Sequence, residues 1–156
     1  MSSYRPTKEL TEIIIHCSAT EAEGRSISAK EIDKWHRSQG YACIGYHYYI
    51  RRDGTIEYGR HIDLIGAHCK GHNRQAIGIC YEGGLLGGKP ADTRTEKQKE
   101  TMKTLIESLA LVFPNLRTIH GHNEFAAKAC PCFDVSKEYS RQNEELAEIK
   151  KRIGLY

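Results

Sequence analysis

Three short stretches carry the side chains that could do chemistry. His16 ends the apolar run EIIIH, and Tyr46 and His47 open the segment YHYYIR. The third stretch, HGHNEFAAKACPCFD, runs from His120 to Asp134. A histidine that ends an apolar strand is, by itself, more often a satisfied core residue than a ligand. His122 and Cys130 are separated by a loop and follow a second strand-like stretch. Were the two strands neighbours in a sheet, His16, His122 and Cys130 could converge at one strand end. Two imidazoles and a thiolate suit Zn²⁺, and three protein ligands leave a fourth position open, as in catalytic rather than structural sites. On spacing alone, scattered surface histidines and a free thiol are the better account, because no short His-x-x-x-His or Cys-x-x-Cys motif fixes a site.

Those side chains need a frame. Glu12 to His16 reads as a buried strand. Ser28 to Gln39 reads as a helix, with Ser28 and Glu31 as a capping box and Gly40 closing its far end. Trp35 falls on the apolar face of that helix and is expected in the core. Tyr46 to Arg51 and Thr55 to Tyr58 read as a hairpin turning at Asp53-Gly54, which puts His47 on the opposite face of its strand from Tyr46. Ala76 to Tyr81 is another buried strand. Thr95 to Val112 is an amphipathic helix, with Thr95 and Gln98 as its box and Pro114 past its end. Arg117 to His120 is a last short strand, and Ser136 to Ile153 a charged helix. Gly83 to Thr93 reads as a plain connection. The order predicts one α/β domain over residues 1–156, its core roughly 10–140, with a central mixed sheet of about five strands flanked by helices. Ligands in such folds collect beyond the carboxyl ends of the parallel strands.

Composition narrows the classes. The chain has 156 residues, 39% hydrophobic and 28% charged, which suits one real core and argues against disorder. A net charge of +3 is too weak to predict nucleic-acid binding, though it suits an anionic polymer. No segment is long and apolar enough to span a membrane. The opening MSSYRPTKELTEIII has no uninterrupted apolar run, so synthesis in the cytoplasm without a signal peptide is expected. The six cysteines then do not imply a disulfide framework. Cys17 and Cys80 read as buried thiols, while Cys43 and Cys69 have no assignment. The basic tail from Glu148 to Arg152 reads as a solvated helix face.

The stretches IIIHCSAT, WHRSQG, GYHYYIRRDGTIEYGR, GAHCKGHN, IGICYEGG and KACPCFD occur in that order between roughly Ile13 and Val135. Together they strongly resemble the N-acetylmuramoyl-L-alanine amidases of the phage-lysozyme type, relatives of the peptidoglycan-recognition proteins. The resemblance implies a zinc enzyme that cuts the amide between N-acetylmuramic acid and L-alanine of peptidoglycan. It implies His16, His122 and Cys130 as ligands of one Zn²⁺, with Tyr46 and Lys128 as catalytic helpers. The family's spacing back from its cysteine ligand likewise implies His122 rather than His120. A tyrosine beside a cation and a metal is expected at a lowered pKa, placed to orient water or move a proton. Lys128 would stabilise the oxyanion.

His68, Lys70 and Asn73 match a loop bordering the family's substrate groove, so His68 and Asn73 are candidate substrate contacts. Cys132 departs from many relatives, which carry a small polar residue there. It is expected not to be a ligand, and a disulfide with Cys130 is open to it under oxidation. A monomer is expected, acting on the wall after release by a holin, a secretion device or lysis. Some amidases of this type also bind and inhibit an RNA polymerase, a role the first dozen residues here do not carry over.

Overall fold

The computed structural model describes residues 3–152. Its centre is a five-stranded mixed sheet. In chain order the strands are β1 (Glu12–Cys17), β3 (Tyr48–Ile50), β4 (Ile56–Tyr58), β5 (Ala76–Tyr81) and β8 (Thr118–Gly121). Their spatial order is β4-β3-β5-β1-β8. β1 runs parallel to both β5 and β8, β3 runs parallel to β5, and only the edge strand β4 is antiparallel. A strand flanked by parallel neighbours is covered on both faces and reads as an unbroken apolar run. EIIIHC and AIGICY are such runs, and they are the two strands with a parallel neighbour on each side.

The two faces are covered differently. Ile13, Ile15 and Cys17 share one cluster with Met102, Ile106 and Leu109 of α2 (Glu96–Val112). The cluster extends to Val135 of α3 (Val135–Glu138) and Leu146 of α4 (Ser140–Arg152). Each fully buried isoleucine there contributes about 2 kcal/mol. Side chains alternate along a strand, so Ile14 and His16 point to the other face. Ile14 packs there with Cys69 and Ala76. On the same side, Ile32 of α1 (Ala29–Ser38) packs with Tyr49 and Cys80.

Local chemistry explains most element ends. Thr95 Oγ1 accepts the Gln98 N–H at 3.1 Å and Gln98 Oε1 accepts the Thr95 N–H at 2.9 Å, a complete capping box. Gln98 is fully buried and its amide donates to the carbonyls of Ile50 and Glu82, which ties α2 to the sheet. α1 has only half a box. Ser28 accepts the Glu31 N–H, but the Glu31 carboxylate pairs with Arg25 at 2.8 Å. Gly40, at φ 97°, follows its C-cap as expected.

Four expectations need correction. Trp35 is 42% exposed, because the buried stripe of α1 runs through Ala29 and Ile32 and leaves Trp35 to one side. The stretch from Gly83 to Thr93 contains a hairpin, β6 (Gly84–Leu86) and β7 (Lys89–Pro90), turning on Gly87 and Gly88 at φ 61° and 77°. β6 also pairs with β2 (Thr20–Glu21), which makes a second, three-stranded sheet. His47 precedes β3 rather than lying within a strand. The C-terminal helix is two helices, broken at Tyr139, whose ring is buried in the core. Ile153 and the side chains of residues 149–152, to which the solvated tail was assigned, lie outside the described residues.

Candidate active site

Strand register decides what meets His16. Ile13 of β1 lies opposite Ile119 of β8, and Ile15 opposite Gly121. β8 therefore ends beside the residue before His16 and hands the chain to a 3-10 turn, His122–Glu124. The rings of His16 and His122 lie 4.6 Å apart between centroids. Glu124 holds the turn by accepting the Gly121 N–H at 2.6 Å, and it pairs with His120 Nδ1 at 2.8 Å. His120 is thus engaged elsewhere, with its ring edge-on to Phe125.

Cys130 comes from the loop ahead of α3, and two groups anchor that loop. The Tyr81 hydroxyl donates to the Pro131 carbonyl at 2.6 Å. Arg94, its side chain wholly buried, pairs with Asp92 and Glu138 and lies 3.4 Å over the Phe133 ring. The Cys17 N–H donates to Cys130 Sγ at 3.2 Å, and that sulfur is 3.9 Å from His16 Nδ1. One donor atom each from His16, His122 and Cys130 lie within 4.8 Å of one another. Among the described residues this is the one group of three or more such side chains that could hold a metal ion.

The surroundings keep the donors in usable form. Burial, then the charges of His68, His122 and Lys128, hold His16 well below the usual histidine range. Burial, then Lys128, lowers His122. Both imidazoles are therefore neutral near pH 7, with a lone pair free for a cation. Tyr46 stands 5.0 Å from His16, ring to ring. Burial, then the sulfurs of Cys80, Cys130 and Cys17, push its phenol well above the usual range. Without a bound cation these neighbours therefore oppose the lowered pKa expected of Tyr46 and leave its phenol protonated near pH 7.

The family profile described as N-acetylmuramoyl-L-alanine amidase matches residues 6–133. The chain belongs to that family. The amidase is 38% identical over 139 residues to an endolysin of Klebsiella phage KP32, covering 88% of this chain and 91% of the relative. It is 36% identical to the endolysin of Escherichia phage T7, with the same coverage of both chains. Among solved structures it resembles the N-acetylmuramoyl-L-alanine amidase LysC from Clostridium intestinale, with a TM-score of 0.74 and 27% identity over 99% of this chain and 90% of that one. Drosophila PGRP-LB gives a TM-score of 0.73 at 25% identity, covering 90% and 84%.

Beside the triad the amidase has a cavity of about 510 Å³, walled by Tyr41, Lys70, Phe125 and Lys128, with His68 and Asn73 behind. Asn73 Oδ1 accepts the backbone N–H groups of His68 and Cys69, at 2.8 and 2.9 Å, and so shapes the wall. His68 lies beneath His16, with its Nδ1 2.9 Å from His16 Nε2. Cys132 turns back at φ 71° and places its sulfur 4.0 Å from that of Cys17, so its sulfur contact is Cys17. Burial, then Cys17, pushes its thiol up to about 11, which keeps it unreactive at neutral pH.

Sequence reasoning passed over Tyr81 and Arg94, and also Arg5. The Arg5 guanidinium donates to the carbonyls of Asn73, Arg74 and Ala76 at 2.7–2.9 Å and abuts His47 Nε2, clasping the loop that carries His68. Desolvation lowers Arg5 to about 10. No local signal marks such a residue, because its partners are some 70 positions away.

Proposed function

We propose that the amidase holds one zinc ion with His16, His122 and Cys130 and hydrolyses the bond between N-acetylmuramic acid and L-alanine in peptidoglycan. The observation that carries this reading is the cluster itself, two neutral imidazoles and a thiol within 4.8 Å beside an open groove. The donor set is the nitrogen and sulfur chemistry that zinc prefers, and three ligands leave a position for substrate. When bound, zinc supplies a Lewis acid for the carbonyl and an activated water nucleophile.

The chain's own residues do the rest. Lys128 sits in the groove wall, and its charge is felt at both His16 and His122. A fixed ammonium there gains most when the carbonyl oxygen becomes anionic, so Lys128 stabilises the transition state. Tyr46 keeps its proton, orients water and donates toward developing charge. His68 and Asn73 form the wall against which the stem peptide lies. Asn73 uses its side-chain oxygen on the loop, so its amide NH₂ is what remains for substrate. One chain supplies all five metal and catalytic residues, so a monomer suffices. Among the described residues no helix is long and apolar enough to cross a membrane. The phage endolysins among the relatives support action on the wall after release from the cytoplasm.

The test is metal analysis coupled to hydrolysis. Purified protein should carry about one zinc per chain. It should release new N-terminal alanine from purified sacculi, and His122→Ala should lose both properties. Full activity in protein stripped of all divalent metal would sink the zinc reading.

A further inference from the structure

His16 has two ring nitrogens, and they face different neighbours. Nδ1 points toward Cys130 Sγ, 3.9 Å away. Nε2 is 2.9 Å from Nδ1 of His68. We propose that His68 is a positioning residue: its Nδ1 accepts the Nε2–H of His16 and holds His16 as the tautomer whose Nδ1 lone pair faces Cys130 and His122. The inference rests on the zinc reading above. It assigns to His68 an action through His16 in addition to its place in the groove wall.

The slot around His68 shows that the ring is placed with care. A Cβ added to Gly66 would meet His68 Cδ2 at 2.6 Å, and one added to Gly78 would meet it at 2.7 Å. Both glycines stand where any side chain would drive the ring off His16. Asn73 fixes the backbone from the other side by accepting the His68 N–H. The His47 ring stands edge-on behind, 5.8 Å away, and is itself pinned by the Gly78 N–H on its Nδ1 at 3.0 Å. The ring therefore has little room to rotate away.

Proton placement follows from the neighbours. Two neutral imidazoles joined by one hydrogen bond have one donor and one acceptor nitrogen at the contact. If His68 donated, His16 would carry its proton on Nδ1, aimed at the space between the three donor atoms. If His16 donates, the His68 proton sits on Nε2. That atom is buried with no hydrogen-bond partner among the described residues. Only with His16 as the donor does its Nδ1 present a lone pair toward Cys130 and His122. Histidines that bind metals are commonly oriented in this way through their second nitrogen, usually by a carboxylate or carbonyl. Here an imidazole takes that place.

The experiment reads the tautomer directly and then its consequence. In metal-free wild-type protein at pH 7.5, long-range ¹H–¹⁵N spectra should show His16 protonated on Nε2 and His68 on Nε2. His68→Leu removes the acceptor at similar bulk and should weaken zinc binding, measured by chelator competition, by about 10–100-fold. His68→Asn places an amide oxygen near the former Nδ1 and should regain most of that loss. A wild-type spectrum with His16 protonated on Nδ1 overturns the inference, whether or not either variant folds. So does a folded His68→Leu protein with wild-type zinc affinity. A chain that shows the Nε2–H tautomer yet takes up no zinc would refute the zinc reading and uphold the hydrogen bond.

Discussion

The two faces of the central sheet are built on different principles. Toward α2 and α4 the sheet presents Ile13, Ile15, Ile77 and Ile79, met by Met102, Ile106 and Leu109. Contacts there are apolar, numerous and replaceable in kind. Toward α1 and the loop before β5, the same strands present His16, followed by His68, His47 and the Arg5 guanidinium. On that side nearly every polar atom has a named partner, and the exception, His68 Nε2, lies next to the site. A buried polar group without a partner costs about 1–3 kcal/mol, so such a line survives only as a connected set. One face supplies stability, and the other gives up some of it to hold imidazoles neutral and aimed.

That division can be broken from either side. Ile106, 1% exposed, belongs wholly to the apolar face. Ile106→Ala should cost about 2–5 kcal/mol of unfolding free energy. Chemical denaturation would check this, and zinc content and turnover of the folded fraction should stay as in wild type. Lys128 belongs wholly to the other face. Lys128→Met should lower kcat by about 10²–10³-fold, with KM, zinc content and melting temperature nearly unchanged. A Lys128→Met enzyme with wild-type kcat would reduce Lys128 to a groove-wall charge.

Acid should separate the faces further. Burial, then Arg5, holds His47 at about 3 in the folded protein. A histidine lowered on folding binds fewer protons folded than unfolded between that value and about 6.5, so stability rises with pH across this window. The His47 contribution is fully present above pH 6.5 and should fade by about 1.4 kcal/mol per pH unit as pH falls toward 3. His16 and His68, also lowered, act in the same direction. Urea midpoints from pH 7 to pH 4 would measure the slope, and His47→Gln should flatten it. A slope that survives the substitution unchanged would assign the acid sensitivity to carboxylates instead.

Much of this was legible in the residues alone. The Thr95/Gln98 box, the Ser28 cap without its Glu31 half, the Asp53-Gly54 turn and the two unbroken apolar runs are local signals. Each involves neighbours a few positions apart, where short-range sterics and hydrogen bonds dominate. The quoted stretches also pointed to the family, and hence to the residue types of the site. The hairpin at Gly84–Pro90 escaped because its pairing partner for β6, Thr20–Glu21, is distant in sequence. Trp35 misled because a helical stripe says which residues could be buried, not which side another layer will cover.

Those local patterns settled the strands, the helices and the presence of two imidazoles, a thiol, a phenol and an ammonium. Tertiary structure decided the register by which β8 ends beside Ile15 and brings His122, already implied by the resemblance, against His16. It alone set His68 under His16 in a slot between two glycines, and Arg5 across the loop that carries it. Register, desolvation and the choice of tautomer depend on atoms brought together from 52 to 115 positions apart. No local pattern encodes such contacts, because their energies exist only once the chain has closed around them.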